Sequence, residues 1–151
     1  MSKATFLRAL KSTIDKIGND LALAQSPALK FVDLDDVTAV EEIMTSTATA
    51  FVWEMSTFKG VPRDPLYEAT FNMGVRTTDD AANYNILGFA GLLSDTFDVD
   101  KIIDIKDYSG VNATSSQGAL HITYVTTNPQ VFDRVSGIRM LSISAKAQRW
   151  L

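Results

Sequence analysis

The spacing of apolar residues differs between segments of the chain, and this difference limits the fold more than any other feature. From Lys3 to about Ala24, apolar residues recur every three or four positions and charged residues fill the other positions. Such spacing predicts an amphipathic helix. From Leu66 to Thr77, apolar and polar residues alternate, which predicts a strand with one buried face. Both periods in separate segments of one chain indicate an α+β fold.

Two strands are predicted, one before and one after a break in the pattern. Residues Ala48 to Phe58 are β-branched and aromatic, and the break from Lys59 to Pro65 contains one glycine and two prolines. We expect this strand and Leu66 to Thr77 to form an antiparallel hairpin with a wide turn. A short extended piece is expected earlier, at Leu29 to Val32. Val37 to Met44 fits either a helical turn or an irregular connection.

A second long helix is predicted to begin after Thr78-Asp79-Asp80 and to reach about Phe97, because these residues are good N-caps. Its apolar positions at helical intervals are Tyr84, Leu87, Ala90 or Gly91, and Leu92. Gly88 and Gly91 each cost a helix about 1 kcal/mol relative to alanine. We therefore expect them to allow close packing against the sheet or a neighbour.

Three further strands complete the pattern, at Lys101 to Tyr108, Ala119 to Thr126 and Arg134 to Ala147. In the second, Leu120, Ile122 and Tyr124 alternate with polar residues, and a polar loop from Ser109 to Gly118 precedes it. The sequence thus predicts a single domain over 1–151, α+β in class. Its sheet is expected to be mostly antiparallel, with two long helices packed on one face.

The composition excludes several kinds of site and partner. The chain has no cysteine and one histidine, which excludes disulfides, thiolate zinc sites, cysteine nucleophiles and His-rich metal sites. A net charge of -4 argues against binding to a nucleic-acid backbone. The most apolar stretch, Ile86 to Leu93, is too short to span a bilayer, so no membrane partner is expected. The N-terminus does not resemble a signal peptide, and we expect synthesis in the cytoplasm.

No catalytic, cofactor or metal residue is assigned from the sequence. His121 lies in a predicted strand, on the face opposite Leu120 and Ile122, without a nucleophile and carboxylate at suitable spacing. Glu54 and Glu68 read as outward residues of strands rather than a catalytic pair. Two carboxylate clusters lack the glycine and closing glutamate of a calcium loop and are interpreted as solvated loops with helix-capping aspartates. These clusters are Asp33, Asp35 and Asp36, and Asp95, Asp98 and Asp100.

The order of these elements, and one segment in particular, suggest a family. In Pro65-Leu66-Tyr67-Glu68-Ala69-Thr70-Phe71-Asn72-Met73-Gly74-Val75-Arg76-Thr77-Thr78-Asp79-Asp80-Ala81-Ala82-Asn83-Tyr84, a strand leads directly into an Asp-capped helix. Over residues 3 to 147 the chain resembles the tail terminator proteins of long-tailed bacteriophages. The resemblance implies a virion protein, made in the host cytoplasm. It would form a ring, usually hexameric, on the finished tail tube, stop tube polymerisation and face the head-tail connector protein.

The resemblance also implies where partners would bind. The turn from Lys59 to Asp64 and the loop from Ser109 to Gly118 would dock on the tail tube protein or the connector, because polar loops can become ordered on binding. Trp150 lies beside the chain terminus, where an apolar side chain needs a partner to cover it. The candidate interface residues are Lys59, Arg63, Asp64, Tyr108, Asn112, Gln117 and Trp150.

Two other classes remain open. One is a different head-tail joining protein, such as a head-closure or tail-completion protein. The other is a small enzyme or ligand-binding α+β domain, which should have a deep polar pocket containing titratable groups with shifted pKa values.

Overall fold

A computed structural model describes residues 3–25, 27–45, 49–60, 66–76, 84–109, 115–133 and 138–149. In chain order, these residues form α1 (Lys3–Leu23), β1 (Lys30–Asp33), α2 (Val37–Met44), β2 (Ala50–Gly60), β3 (Leu66–Arg76), α3 (Tyr84–Thr96), β4 (Ile102–Ile105), β5 (Gly118–Asp133) and β6 (Ile138–Arg149). The strands make one sheet in the order β1-β2-β3-β6-β5-β4. Only the β1–β2 pair is parallel among these described strands. The predicted α+β class, with a mostly antiparallel sheet, is confirmed.

Both long helices pack on the same face of the sheet. In α1, Phe6, Leu10 and Ile14 face the strands and are fully buried. At the end of α3, Phe97 meets Phe71 of β3 edge to face, with ring centroids 6.4 Å apart. Since all these side chains belong to one core cluster, the prediction of two helices on one face is confirmed.

The helix α1 makes contacts near both edge strands of the sheet, β1 and β4. On one side, the ammonium of Lys11 forms an ion pair with Asp33 at the end of β1. On the other side, the hydroxyl of Thr13 accepts a hydrogen bond from the N–H of Lys106, directly after β4, at 3.0 Å. None of the helices in the described part of the chain is long and apolar enough to cross a membrane.

The segment that the sequence left open, Val37 to Met44, is the helix α2. Asp36 caps its start by accepting a hydrogen bond from the Ala39 N–H at 3.1 Å. Ile43 packs with Ala50 and Val52 of β2 in a second, smaller cluster. Alternate residues of a strand point to opposite faces, so α2 covers the β1–β2 edge on the face that α1 leaves free.

The structure corrects part of two expectations for α3. Leu87 is 53% exposed. Among the side chains that the structure describes here, Leu93 and, just after the helix, Phe97 are fully buried, and Leu92 packs partly buried against the core cluster. Apolar residues occur on several sides of α3, so their spacing does not define one buried face. A methyl group at Gly88 or Gly91 would meet no described atom within 4 Å, so these glycines do not pack closely against the described part of the sheet. Close packing against a neighbour stays a prediction. The expected cap, Thr78-Asp79-Asp80, lies outside the described residues.

The last three strands differ in length from the prediction. β4 ends at Ile105 because the backbone of Lys106 bonds to the Thr13 hydroxyl of α1 instead of continuing the ladder. β5 and β6 keep pairing beyond Thr126, through register shifts, as far as Asp133 and Ile138. At its other end, β5 begins at Gly118, which is also where the loop predicted from Ser109 ends.

Candidate interaction surfaces

One end of the sheet carries the strand ends that flank the two connections predicted from the sequence as docking elements. The strand ends found there are Gly60 of β2, Leu66 of β3, Arg149 of β6, Gly118 of β5 and Ile105 of β4. The register of neighbouring strands places these ends side by side. The chain after Lys59 and the chain before Gln117 therefore belong to the same end, with β3 and β6 between their strands. We call it the loop end of the sheet.

Three of the candidate interface residues lie at or near the loop end. Lys59 is 71% exposed, and its ammonium is 3.3 Å from a carboxylate oxygen of Glu68. Tyr108 is 38% exposed, and its N–H donates to the Ser12 hydroxyl at 3.0 Å. The N–H of Gln117 donates to the Ile105 carbonyl at 2.7 Å. The buried side-chain oxygen of Gln117 has no hydrogen-bond partner among the described residues. The other four, Arg63, Asp64, Asn112 and Trp150, lie outside the described residues.

The start of α1 also belongs to the loop end. The ring of Phe6 stacks on Tyr67 of β3 with centroids 5.5 Å apart. Nearby, the guanidinium of Arg8 is 3.0 Å from a carboxylate oxygen of Asp107. Hydrogen bonds from the hydroxyl and backbone of Ser109, together with the charge of Arg8, lower the pKa of the Asp107 carboxyl. The segment after β4 is thus held against α1 rather than in the sheet.

Beside α1, the surface carries a cleft of about 370 Å³. It is lined by Leu7, Arg8, Lys11, Asp35, Trp53 and Met55. Because β1 ends at Asp33, opposite Trp53, the later residues of β2 have no described strand on that side. The cleft occupies this gap between α1 and β2, and we call it the α1–β2 cleft. Sequence reasoning missed it, since the residues come from segments far apart in the chain.

Two polar side chains of α1 contact Trp53, which lines the α1–β2 cleft. Its indole N–H donates to Asp15 at 2.9 Å, and the ammonium of Lys11 lies 5.5 Å from the ring centroid. Burial, with the nearby charge of Asp33, raises the pKa of the Asp15 carboxyl. Burial opposes the charged form of Lys11, but its hydrogen bond to Asp33 and the surrounding carboxylates outweigh this and raise its pKa. Lys11 is therefore charged at neutral pH.

The sheet face away from α1 and α3 carries paired polar side chains. The amide of Asn72 donates to Glu54 at 3.2 Å, and Glu68 is paired with Lys59. His121 is 45% exposed, with Nε2 3.2 Å from a carboxylate oxygen of Asp100. The prediction that Glu54, Glu68 and His121 point outward is confirmed. The partner of His121, Asp100, was not predicted.

An apolar patch interrupts this polar face near the β4 edge. Ile102 is 68% exposed and pairs in register with His121, and Tyr124 is 61% exposed. The sequence placed Tyr124 on the same face as Leu120 and Ile122, which was wrong. A register shift between Ile122 and Tyr124 turns the strand, so that Ile122 is buried while Tyr124 faces solvent. We call this surface the Ile102–Tyr124 patch.

Within the described residues, no three His, Asp or Glu side chains are grouped so that they could hold a metal ion. No known family model matches the chain. A search of curated proteins likewise finds no match.

Proposed function

We propose that the protein is a structural subunit of a bacteriophage virion. It forms a ring on the end of the tail tube, stops tube polymerisation and joins the tail to the head connector. The family resemblance of the sequence suggests this function, and the fold is compatible with it. Apart from β1 and α2, which stand between α1 and β2, its elements follow the order helix, strand pair, helix and final strands on which that resemblance depends.

The observation that carries the proposal is the loop end of the sheet. A tube-capping subunit needs one surface that meets the tube while other surfaces meet its neighbours in the ring. The connections that follow Lys59 and precede Gln117 leave the sheet at the same end, beside the start of α1. Both can therefore contact one partner at the same time, and the flanks of the sheet stay available for neighbouring subunits.

The first experiment measures the mass of the protein in solution by light scattering, alone and with the tail tube protein of its own virus. A closed ring, hexameric on the family resemblance, is expected alone or on tube ends, since binding of a partner favours the assembled state. A chain that stays monomeric and never binds tube ends would overturn the proposal. A ring that binds the connector but not the tube would instead favour a head-closure protein.

A matched pair of charge reversals tests the loop end itself. Lys59→Glu should weaken tube binding without changing the mass of the ring, because Lys59 stands at the loop end. Lys30→Glu is the control: Lys30 is 73% exposed and Lys59 is 71% exposed, and each forms one ion pair, with Glu42 and Glu68 respectively. Lys30 lies at the start of β1, at the opposite end of the sheet. Equal effects of the two reversals would contradict this role for the loop end.

Deletion of Val111 to Gln117 tests the second connection. Tail assembly by phage carrying this deletion should fail at the stage of tube capping. Normal tail assembly would count against a docking role for this loop.

A further inference from the structure

The outer edge of β2 is open beyond the point where β1 ends. β2 has 11 residues, and only four of them pair with β1. The carbonyl of Trp53 still accepts a hydrogen bond from the N–H of Leu34 at 2.9 Å. Backbone groups alternate in direction along a strand, so those of Met55 point to the same side. No described strand pairs with Met55 on that side.

The open edge continues beyond the register shift between Met55 and Thr57. On β3, Phe71 lies opposite Met55 and Ala69 lies opposite Phe58. Phe71 and Ala69 are two residues apart, so the backbone groups of Phe58, like those of Met55, point away from β3. β2 therefore turns N–H and C=O groups at two positions toward a side with no described strand. The backbone of an extended segment has donors and acceptors at matching intervals.

The α1–β2 cleft lies along this edge. Leu7 of α1 and Met55 of β2 line it, and both are half-buried. A segment extended along β2 turns alternate side chains toward α1, so apolar residues at those positions cover Leu7 and Met55. A cleft of about 370 Å³ between a helix and a strand has room for one extended chain. The β4 edge of a second copy needs more room, because Lys106 attaches it to that copy's α1.

The charges of the cleft favour a basic residue on the incoming segment. Arg8 and Lys11 are already paired, with Asp107 and Asp33 respectively. Asp35 also lines the cleft, is exposed and forms no ion pair with a described residue. It follows directly after the end of β1, so it stands at the start of the open edge. A basic side chain there is attracted and an acidic one is repelled.

From this arrangement we infer that the α1–β2 cleft is the docking site for an extended arm of another protein, which adds a strand to β2 in line with β1. The arm has apolar residues at the alternate positions that face α1 and a basic residue beside Asp35. Main-chain hydrogen bonds to Met55 and Phe58 supply affinity, and the apolar and basic positions supply specificity. The contact goes beyond the proposed function and does not require a ring.

A tethered strand tests the inference, because a linker raises the local concentration of a weakly binding peptide. The probe Lys-Val-Thr-Val-Thr-Val-Lys is fused to Leu151 through a flexible Gly/Ser linker of about 20 residues. Lysine at both ends lets one of them reach Asp35 in either strand direction. Hydrogen exchange at the Met55 and Phe58 amides should be about tenfold slower than in a chain that carries the linker alone. Circular dichroism checks that each variant is folded.

Two controls separate backbone pairing and charge from a general effect of the tether. Replacing the central Val-Thr of the probe by Pro-Pro removes backbone donors and should abolish the slowing. Asp35→Lys should reverse most of the slowing, because it repels the lysines of the probe. Glu41→Lys on α2 is the matched control and should leave the slowing unchanged. Like Asp35, Glu41 is exposed and forms no ion pair with a described residue.

The outcomes are distinct. Slower exchange that depends on the backbone of the probe and on Asp35 supports the inference. Unchanged exchange in the fusion, equal slowing by the Pro-Pro probe, or equal effects of the two charge reversals would overturn it. Exchange in the natural chain that slows with rising protein concentration would also overturn it, since a second copy then occupies the edge. None of these measurements uses tube or connector, so their result is independent of whether the ring function holds.

Discussion

The indole N–H of Trp53 donates a hydrogen bond to Oδ1 of Asp15 at 2.9 Å, which joins α1 to β2 through two side chains. Trp53 is only 1% exposed, so its N–H is shielded from solvent in the folded chain. Trp53 also lines the α1–β2 cleft, and burial raises the pKa of the Asp15 carboxyl that it contacts. The pair therefore affects both the stability of the fold and the wall of the α1–β2 cleft.

Asp15→Asn and Asp15→Leu should differ in stability. Asparagine keeps an oxygen that accepts the indole hydrogen bond and removes a charge that burial disfavours, so its free energy of unfolding at neutral pH should match or exceed that of the natural chain. Leucine leaves a buried donor unpaired, which costs about 1 to 3 kcal/mol. Urea denaturation measures both values. An Asp15→Asn chain as unstable as Asp15→Leu would contradict the prediction.

The raised pKa of Asp15 also predicts a pH dependence. The folded chain holds the Asp15 proton more tightly than the unfolded chain, so this residue stabilises the fold below its unfolded pKa of about 4. That contribution is lost as pH rises through the folded pKa. The stability of the natural chain relative to Asp15→Asn should therefore improve as pH falls from neutral to about 4. Paired urea denaturation curves test this, and a difference that is independent of pH would refute it.

Gly18→Ala should destabilise the protein although alanine favours helices. A methyl group at Gly18, within α1, would overlap the ring of Phe31 on β1. This crowding should cost about 1 to 3 kcal/mol and exceed the gain in helix propensity of about 1 kcal/mol. Thermal unfolding of Gly18→Ala, Phe31→Leu and the double variant tests the cause. The smaller leucine should restore part of the loss, and strictly additive effects would argue against the overlap.

Gly88→Ala and Gly91→Ala should have the opposite effect. Both glycines lie inside α3, and a methyl group at either meets no described atom within 4 Å. Alanine restricts the unfolded chain and favours the helix, so each substitution should raise the free energy of unfolding by about 0.4 to 1 kcal/mol. Urea denaturation checks the change. A loss of stability at either position would mean that its surroundings are more crowded than the described residues indicate.

Thr13→Val should loosen the segment that leads from β4 toward the loop end. The buried Thr13 hydroxyl accepts from the Lys106 N–H at 3.0 Å and lies 2.9 Å from the Lys106 carbonyl oxygen. Valine keeps the shape but removes the hydroxyl, which should cost about 1 to 3 kcal/mol. Hydrogen exchange at the Lys106 amide should become faster. Thr13→Ser is the control, because it keeps the hydroxyl and should preserve the slow exchange.

Much of the fold could be predicted from the sequence, because hydrophobic spacing is a local property. α1 and the β2–β3 hairpin appear within a few residues of their predicted bounds. The helix α2 could not be told from an irregular connection by sequence, because its apolar pattern is short. Its buried face is defined only by the packing of Ile43 with Val52. Tyr124 was misplaced because a register shift depends on the partner strand.

The candidate surfaces, like the fold, could be predicted only in part from the sequence. The sequence by itself determined the fold class, the long N-terminal helix and the polar connections after Lys59 and before Gln117. Only the tertiary structure placed those connections at one end of the sheet, because strand order is set by pairing between distant segments. The α1–β2 cleft also exists only in the folded chain. It depends on β1 stopping at Asp33 while β2 continues to Gly60, and the spacing of residues along either strand contains no information about the other.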